Sequence, residues 1–317
     1  MIITLSLFSL LTFKAFADVW NSAVDSLRDF EVIAVATHLD HLAMVRTNLL
    51  QEFPFKVRFL GLGDTRPWQT LRKLELLHEY AASISPEKIL FVLDFFDVVW
   101  LGCDRDLIAE FLKIGAPLVF GAELKPYPLL NTTLRRLPAG YPVLPGTRPG
   151  QVRITKKRDA AGRWDEYRYL NSGCMVGYAG ALALATGRMV ANGFNNDYVL
   201  RSPLARTAAE RKDQLIGEDD QVAWHSYAIQ HPEEIALDYD ATIFLNAFGF
   251  EMGDFDLQER NIWSKPFSKQ VCFAHGNGAS NLAMQLLETQ RMGVQPSTCR
   301  DEVRIEAGVA LYGMICG

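Results

Sequence analysis

Downstream of its N-terminus, the chain has no apolar run approaching the roughly 20 residues a transmembrane helix needs, so the body of the protein does not read as membrane-spanning. It has no basic surplus either. Thirty-two Lys and Arg stand against 37 Asp and Glu, a net charge of -5, which argues against a general nucleic-acid binder. No repeat of solenoid period is visible. Cysteine is scarce: Cys103, Cys174, Cys272, Cys299 and Cys316 are an odd number at no metal-binding spacing. The first, second and third lie in or beside apolar strands and read as buried thiols. Cys299 and Cys316 can pair, although spacing alone does not establish a bridge. Gly61 and Gly63 are not a dinucleotide fingerprint, because the third glycine and the immediate helix are missing.

What is present fits a globular α/β protein. Of the 317 residues, 49% are hydrophobic and 22% charged, enough for one large domain or two smaller ones. Residues 1–17 read as a signal peptide or signal anchor. The apolar stretch Ile2 to Phe13 is followed by Ala15-Phe16-Ala17, an A-x-A cleavage site, although the first residues carry no basic side chain and Lys14 interrupts the pattern. The sequon Asn131-Thr132-Thr133 agrees with a lumenal or secreted route. The body is expected over 18–290, with a C-terminal tail over 291–317.

Strands and helices alternate. Glu31–Thr37 is a buried strand, 42–52 a helical pattern and Val57–Leu60 a second strand, about the length of a βαβ unit. A helix over 71–82 leads to the run Ile89–Trp100. Further strands are expected over 117–121, 169–178, 235–237, 242–245 and 270–274, with helices over 106–113, 180–191 and 222–230. This pattern predicts a Rossmann-type, mostly parallel central sheet flanked by helices. Between Lys125 and Trp164, six prolines break the periodicity, as expected of an insertion beside a site.

The run Ile89–Trp100 carries Asp94 and Asp97 where an apolar strand ends. Two acids at the carboxyl end of a central strand either hold a divalent cation at the sheet's open crevice or serve as caps and ion-pair partners. Glu218-Asp219-Asp220-Gln221 opens a helix. One acid caps a helix start, and three in succession exceed that need. His275-Gly276-Asn277-Gly278 follows the last strand, a setting for either a structural histidine or a ligand near phosphate.

Together these pieces resemble the glycosyltransferase domain of the procollagen lysyl hydroxylases, the multifunctional collagen-modifying enzymes. The matching motifs are Val35-Ala36-Thr37, Leu60-Gly61-Leu62-Gly63 with Trp68, Asp94-Phe95-Phe96-Asp97, Leu170-Asn171-Ser172-Gly173, Asp219-Asp220-Gln221 and His275-Gly276-Asn277-Gly278. They stand in family order from about residue 31 to 280. The resemblance implies a GT-A-like fold, a UDP-sugar donor (UDP-glucose or UDP-galactose) and Mn²⁺ held by Asp94, Asp97 and His275. It implies uridine contacts from Thr37 and Trp68, with Asn171, Gly276, Asn277 and Gly278 also lining the donor. Asp219 and Asp220 would act at the reacting sugar, and the acceptor would be a protein or glycan hydroxyl, such as hydroxylysine of a collagen-like chain. There are departures. Tyr127 stands where the family places a tryptophan, Asn281 replaces a lysine, and a second lysine has no clear counterpart in the shortened stretch 69–73. No counterpart of the hydroxylase half is recognisable.

A metal-dependent hexosyl transfer follows from this set. Carboxylates and an imidazole suit Mn²⁺, a flat indole suits uracil, and an acid near the anomeric carbon can stabilise charge or take the acceptor proton. Two rivals remain. One is a catalytically inactive UDP-sugar-binding module. The other is an iron and 2-oxoglutarate oxygenase, suggested by His38-Leu39-Asp40 but set in the wrong element pattern.

Overall fold

The computed structural model describes residues 30–35, 55–62, 64, 70–94, 97–124, 145–146, 155–158, 164–192, 219–277, 282–295, 298–306 and 309–316. The signal peptide, the sequon, Thr37, His38, Asp40, Trp68, Tyr127 and Gly278 lie outside the described residues.

A six-stranded sheet forms the centre. Its strands are β1 (Phe30–Val35), β2 (Val57–Leu60), β3 (Ile89–Leu93), β5 (Leu118–Glu123), β8 (Tyr169–Tyr178) and β9 (Ile235–Asp238), in the order β2-β1-β3-β8-β5-β9. Strand β1 is parallel to β2 and β3, and β5 is parallel to β9. Strand β8 runs antiparallel to both β3 and β5. Five strands therefore share one direction and β8 is inverted, so the sheet is mostly parallel but mixed. Among the described residues the helices are α1 (Thr70–Ala81), α2 (Leu107–Ile114), α3 (Ala179–Ala191), α4 (Asp220–Gln230) and α5 (Leu282–Met292). No described helix is long and apolar enough to cross a membrane.

The central strand β3 is apolar and buried throughout because both its faces are covered, as expected where helices pack on a largely parallel sheet. Alternate residues of β3 go to opposite faces. Leu90 and Val92 join one core cluster with residues of α1, α3, α4 and α5. Ile89, Phe91 and Leu93 join a second with Phe111 of α2, Phe244 and Phe273. Helix α2 is set by its ends. Asp106 accepts from the Ile108 and Ala109 amides, and Gly115 closes the helix at φ 76°, the left-handed cap that glycine adopts without strain.

The strand read from sequence as ending at the acids does so, and the apolar residues after Asp97 form a separate strand. Strand β3 stops at Leu93, and the chain crosses at Asp94–Asp97 into β4 (Val98–Trp100). Strand β4 belongs to a second sheet with β10 (Phe244–Asn246) and β14 (Phe273–His275), in the order β10-β14-β4. The strand expected over 270–274 is divided between β13 (Lys269–Gln270) and β14. Sequence reading missed the small antiparallel sheet of β11 (Phe255–Gln258), β12 (Asn261–Ser264) and β13, helix α5, and the hairpin β15 (Cys299–Glu306) with β16 (Val309–Cys316) inside the supposed tail. The hairpin register sets Cys299 opposite Cys316. A short hairpin of β6 (Thr155–Arg158) and β7 (Trp164–Glu166) stands in the proline-rich insertion.

Two of the expected buried thiols are instead joined. Cys103 and Cys272 form a disulfide with a Cα–Cα distance of 5.0 Å, and Cys174 is a free buried thiol. The sequence separation of 169 explains why spacing gave no hint of the pair.

Candidate functional site

The crossing from β3 to β4 brings the acids to a common edge. The Asp94 amide donates to the Gly173 carbonyl of β8 at 2.6 Å, and the Asp97 amide donates to the Asp94 carbonyl at 3.3 Å. The Gly276 amide donates to the Asp97 carbonyl at 2.7 Å, so this N–H is engaged and not open to a phosphate. Both carboxylates remain accessible, with side-chain exposures of 43% for Asp94 and 44% for Asp97.

His275 ends β14 and reaches Asp97, with Nε2 at 3.3 Å from Oδ1 while its side chain is only 4% exposed. Partial burial works against the Asp97 charge, and the His275 ring more than offsets it, leaving the carboxyl below its usual range. Two glycines make room for this arrangement. A Cβ on Gly173 would lie 2.1 Å from His275 Cε1, and one on Gly121 would lie 2.5 Å from Asn246 Nδ2. Asn246 Nδ2 donates to the Ala122 carbonyl at 2.7 Å, so its Oδ1 faces His275 Nδ1, also at 2.7 Å. This network has Nδ1–H donating to Asn246 Oδ1 and turns Nε2 toward Asp97. Metal-ligating histidines are held in this way, one ring nitrogen donating to an oxygen while the other stays free.

Asp94 has a different partner. Lys73 of α1 places Nζ 2.6 Å from Asp94 Oδ1 and 3.1 Å from the Ser172 carbonyl, and lies 3.2 Å from Asp220 Oδ2. The last is a close ion contact without hydrogen-bond geometry, since Asp220 Oδ2 has no formal hydrogen bond. Burial of Lys73 disfavours its charge, but Asp220 and Asp94 together overcome this and hold it protonated. Burial raises the Asp220 carboxyl, Lys73 opposes the rise and Asp94 adds to it. Asp219 is the N-cap of α4, accepting from the Gln221 and Val222 amides. Burial, with Asp220 next to it, raises its carboxyl to about 6.

Asn171 and Asn277 are buried one layer behind. Both side-chain amides donate to Glu123 Oε2, at 3.3 and 2.7 Å, and Gln221 Nε2 donates to Oε1 at 2.6 Å. Glu123, 1% exposed at the end of β5, thus ties β8, α4 and the segment after β14 together. Asn171 Oδ1 accepts from the Gly173 amide, Asn277 Oδ1 from the Phe248 amide and Gln221 Oε1 from the Ser172 amide. The structure places these amides as braces for the strand ends. Lys73, Glu123 and Asn246 were all missed from sequence. The available signal was chemical: a lysine at the shortened stretch, and polar residues closing the apolar runs 118–122 and 243–245.

Asp97 and His275 are therefore in contact, while Asp94 is drawn to Lys73. Among the described residues the trio with all ligand atoms within 4.8 Å is elsewhere, at His231, Glu233 and Glu234. There Arg188 and Tyr227 already engage Glu234 at 2.7 and 2.6 Å. An open cavity of about 600 Å³, lined in part by Trp100, Arg260 and Gln290, lies at the other end of β4 and is not part of the strand-end cluster. The donor set at the cluster fits a divalent cation. It offers an imidazole oriented by Asn246 and two half-exposed carboxylates, one of them already engaged by Lys73: hard oxygens with one borderline nitrogen.

No protein-family model matches the chain. Against individual proteins it is similar to procollagen-lysine,2-oxoglutarate 5-dioxygenase 1 of Mus musculus, at 26% identity over 257 residues. The proteins of the same name from Bos taurus and Homo sapiens are each 25% identical. Each match covers 75% of this chain and 28% of the relative, so the chain spans little more than a quarter of the length of the curated relatives it matches. The similarity is distant.

Proposed function

We propose that this chain is a Mn²⁺-dependent glycosyltransferase of GT-A-like architecture, moving a hexose from UDP-glucose or UDP-galactose to a hydroxyl acceptor. The observation that carries the reading is the Asn246–His275–Asp97 arrangement, a buried imidazole oriented through Nδ1 with Nε2 toward a half-exposed carboxylate at the sheet's open end. Asp94, Asp97 and His275 would hold the ion, with Asp94 sharing its carboxylate between Lys73 and the metal. When bound, Mn²⁺ supplies Lewis-acid neutralisation of the departing diphosphate. Thr37 and Trp68 are assigned to the uridine, and Gly278 to the phosphate side.

The chain's own groups do the rest. Lys73 holds the Asp220 carboxylate beside the metal-side Asp94, so the group facing the sugar is fixed relative to the diphosphate. Asp220 then either stabilises positive charge at the anomeric carbon or takes the acceptor's proton. Asp219 fixes the start of α4 and thereby the position of Asp220. The relatives' name points to procollagen lysine as the class of polypeptide, so the acceptor assigned here is hydroxylysine or a sugar on it. The oxygenase reading from His38 and Asp40 has no support in the α/β layering. A lumenal or secreted location agrees with the Cys103–Cys272 disulfide, since disulfides persist in oxidising compartments.

One observation favours the binding-module alternative: Lys73 already neutralises charge on both Asp94 and Asp220. The two readings separate by experiment. With Mn²⁺, the purified chain should release UDP from UDP-glucose or UDP-galactose when an acceptor is present. Asp220→Asn should keep UDP binding and lose transfer by about 100-fold or more, the usual scale for a positioned acid or base. UDP binding without turnover in the unaltered chain would establish the binding module, and undiminished transfer in the variant would remove Asp220 from the mechanism.

A further inference from the structure

The ribbon of β4 and β14 is short and carries different chemistry at its two ends. Its antiparallel register pairs Trp100 with Phe273, Val99 with Ala274 and Val98 with His275. At one end the Gly276 amide bonds to the Asp97 carbonyl, and His275 meets Asp97. At the other the Leu101 amide donates to the Cys272 carbonyl at 2.8 Å, and Cys272 is bonded to Cys103. Three residues separate the disulfide from the imidazole along β14, about 10 Å of extended chain.

Strand β14 is also held by β10, while beyond these bonds β4 is held by Gln290 Nε2 on the Leu101 carbonyl. Strand β4 is an edge strand with β14 as its neighbour, and three paired residues are too few to be stable alone. A slip of β4 by one residue would turn Val98 to the opposite face and move Asp97 relative to His275. Packing contributes at the same end as the disulfide: the Trp100 ring lies 4.7 Å from Phe273 and 5.1 Å from Phe55. Arg105 Nη2 binds the Thr242 and Gln270 carbonyls and lies 2.8 Å from Cys272 Sγ. That end is therefore clamped from several directions, and the His275 end inherits its alignment.

We propose that the Cys103–Cys272 disulfide is a register lock for the candidate metal site, with both cysteines as positioning residues for His275 against Asp97. The inference rests on the Mn²⁺ reading above. Opening the bond with a dithiol reagent is balanced chemistry: the reagent gives two electrons and two protons, the protein gains two thiols, and the reagent closes to its cyclic disulfide. Cys272 is fully buried and Cys103 only partly, so the thiolate attacks at Cys103. After reduction β4 can shift against β14 while the six-stranded sheet, which contains neither cysteine, keeps its pairing.

The test is Mn²⁺ titration of the full chain, with the free ion followed by electron paramagnetic resonance. The oxidised protein, the reduced and alkylated protein, and Cys103→Ser with Cys272→Ala are compared, each also carrying His275→Ala. Far-UV circular dichroism monitors the fold. Reduction and the double substitution should each weaken Mn²⁺ binding about 10- to 100-fold, the scale seen when the support behind a metal ligand is lost, with the fold signal retained. In the His275→Ala background reduction should change the affinity by less than about twofold, since the ligand being positioned is gone. A purely structural staple would not give that coupling. Equal affinity in oxidised and reduced protein overturns the register lock and leaves the metal reading intact. No Mn²⁺ binding by the oxidised protein overturns the metal reading, and the lock with it. If the double substitution does not fold, the reduced unaltered chain decides; loss of its fold signal on reduction also overturns the proposal.

Discussion

The two sides of the strand-end cluster are built by different rules. On the Lys73 side, one buried ammonium lies 2.6 Å from Asp94 and 3.2 Å from Asp220, so the protein supplies one cation shared by two carboxylates. On the His275 side, Nδ1 donates to the Oδ1 of neutral Asn246, and Nε2 faces an Asp97 carboxylate that is 44% exposed. The first side is electrostatically closed, and the second is left open to something from outside. A buried ion pair is costly to assemble and more costly to break, whereas an imidazole beside a half-exposed carboxylate is less tightly committed. On the proposed reading, an external cation adds charge on the second side, whereas on the first the protein has supplied its own.

Breaking the closed side should have the largest effect. Lys73→Met leaves Asp94 and Asp220 facing each other without a counter-ion, and removing one partner of a buried pair costs about 3–5 kcal/mol. The variant should unfold at clearly lower urea concentration than the unaltered chain. If Asp94 is shared between Lys73 and the metal, Mn²⁺ should restore part of the loss, raising the midpoint of Lys73→Met more than that of the parent. An equal Mn²⁺ shift in both proteins would show that Lys73 and the ion do not compete for Asp94.

Disturbing the open side should act on affinity more than on fold. Asn246→Ala removes the acceptor that holds the Nδ1 proton, so the ring can flip or change tautomer. Mn²⁺ binding should weaken about 10- to 100-fold, or about 1.4–2.8 kcal/mol, measured by the same resonance titration. Unchanged affinity would mean that His275 does not need this tautomer, and the contrast between the two sides would lose its basis.

These residues differ in how readily they are read from sequence. Asp94, Asp97 and His275 were legible because each ends an apolar run, where a charged or titratable group is anomalous and asks for a partner. The alternation of strands and helices was legible for the same reason, as period and burial leave a local trace. Lys73 was not: in Thr70–Ala81 a lysine beside Arg72 and Glu75 reads as a solvated helix face, yet Lys73 is 4% exposed because α1 lies over the crossing from β3. Glu123, Asn246 and the Cys103–Cys272 bond depend on segments more than 100 residues apart meeting at one edge, which periodicity cannot encode. The inverted strand β8 was hidden too, since an apolar run shows burial but not direction. Asp219 fell between: its capping role follows from position, while its raised carboxyl pKa depends on burial and on Asp220.

Asp219 gives the smallest test, and it sharpens the comparison from the edge of the closed side. Its carboxyl is raised from 3.8 to about 6 by burial and by Asp220, so between these values the folded protein binds more proton than the unfolded chain. Stability then falls as pH rises: the contribution is present below about pH 4 and lost by about pH 6. With solvent screening of this half-buried group, the loss should be on the order of 1–2 kcal/mol. Asn is as good a helix N-cap as Asp, so Asp219→Asn should keep the bonds to the Gln221 and Val222 amides while abolishing the charge. Urea unfolding of both proteins between pH 4 and pH 6 should show a steeper fall in the parent. Parallel slopes would mean that Lys73, already matched to Asp94 and Asp220, also compensates Asp219, and that the closed side extends one residue further than its ion contacts indicate.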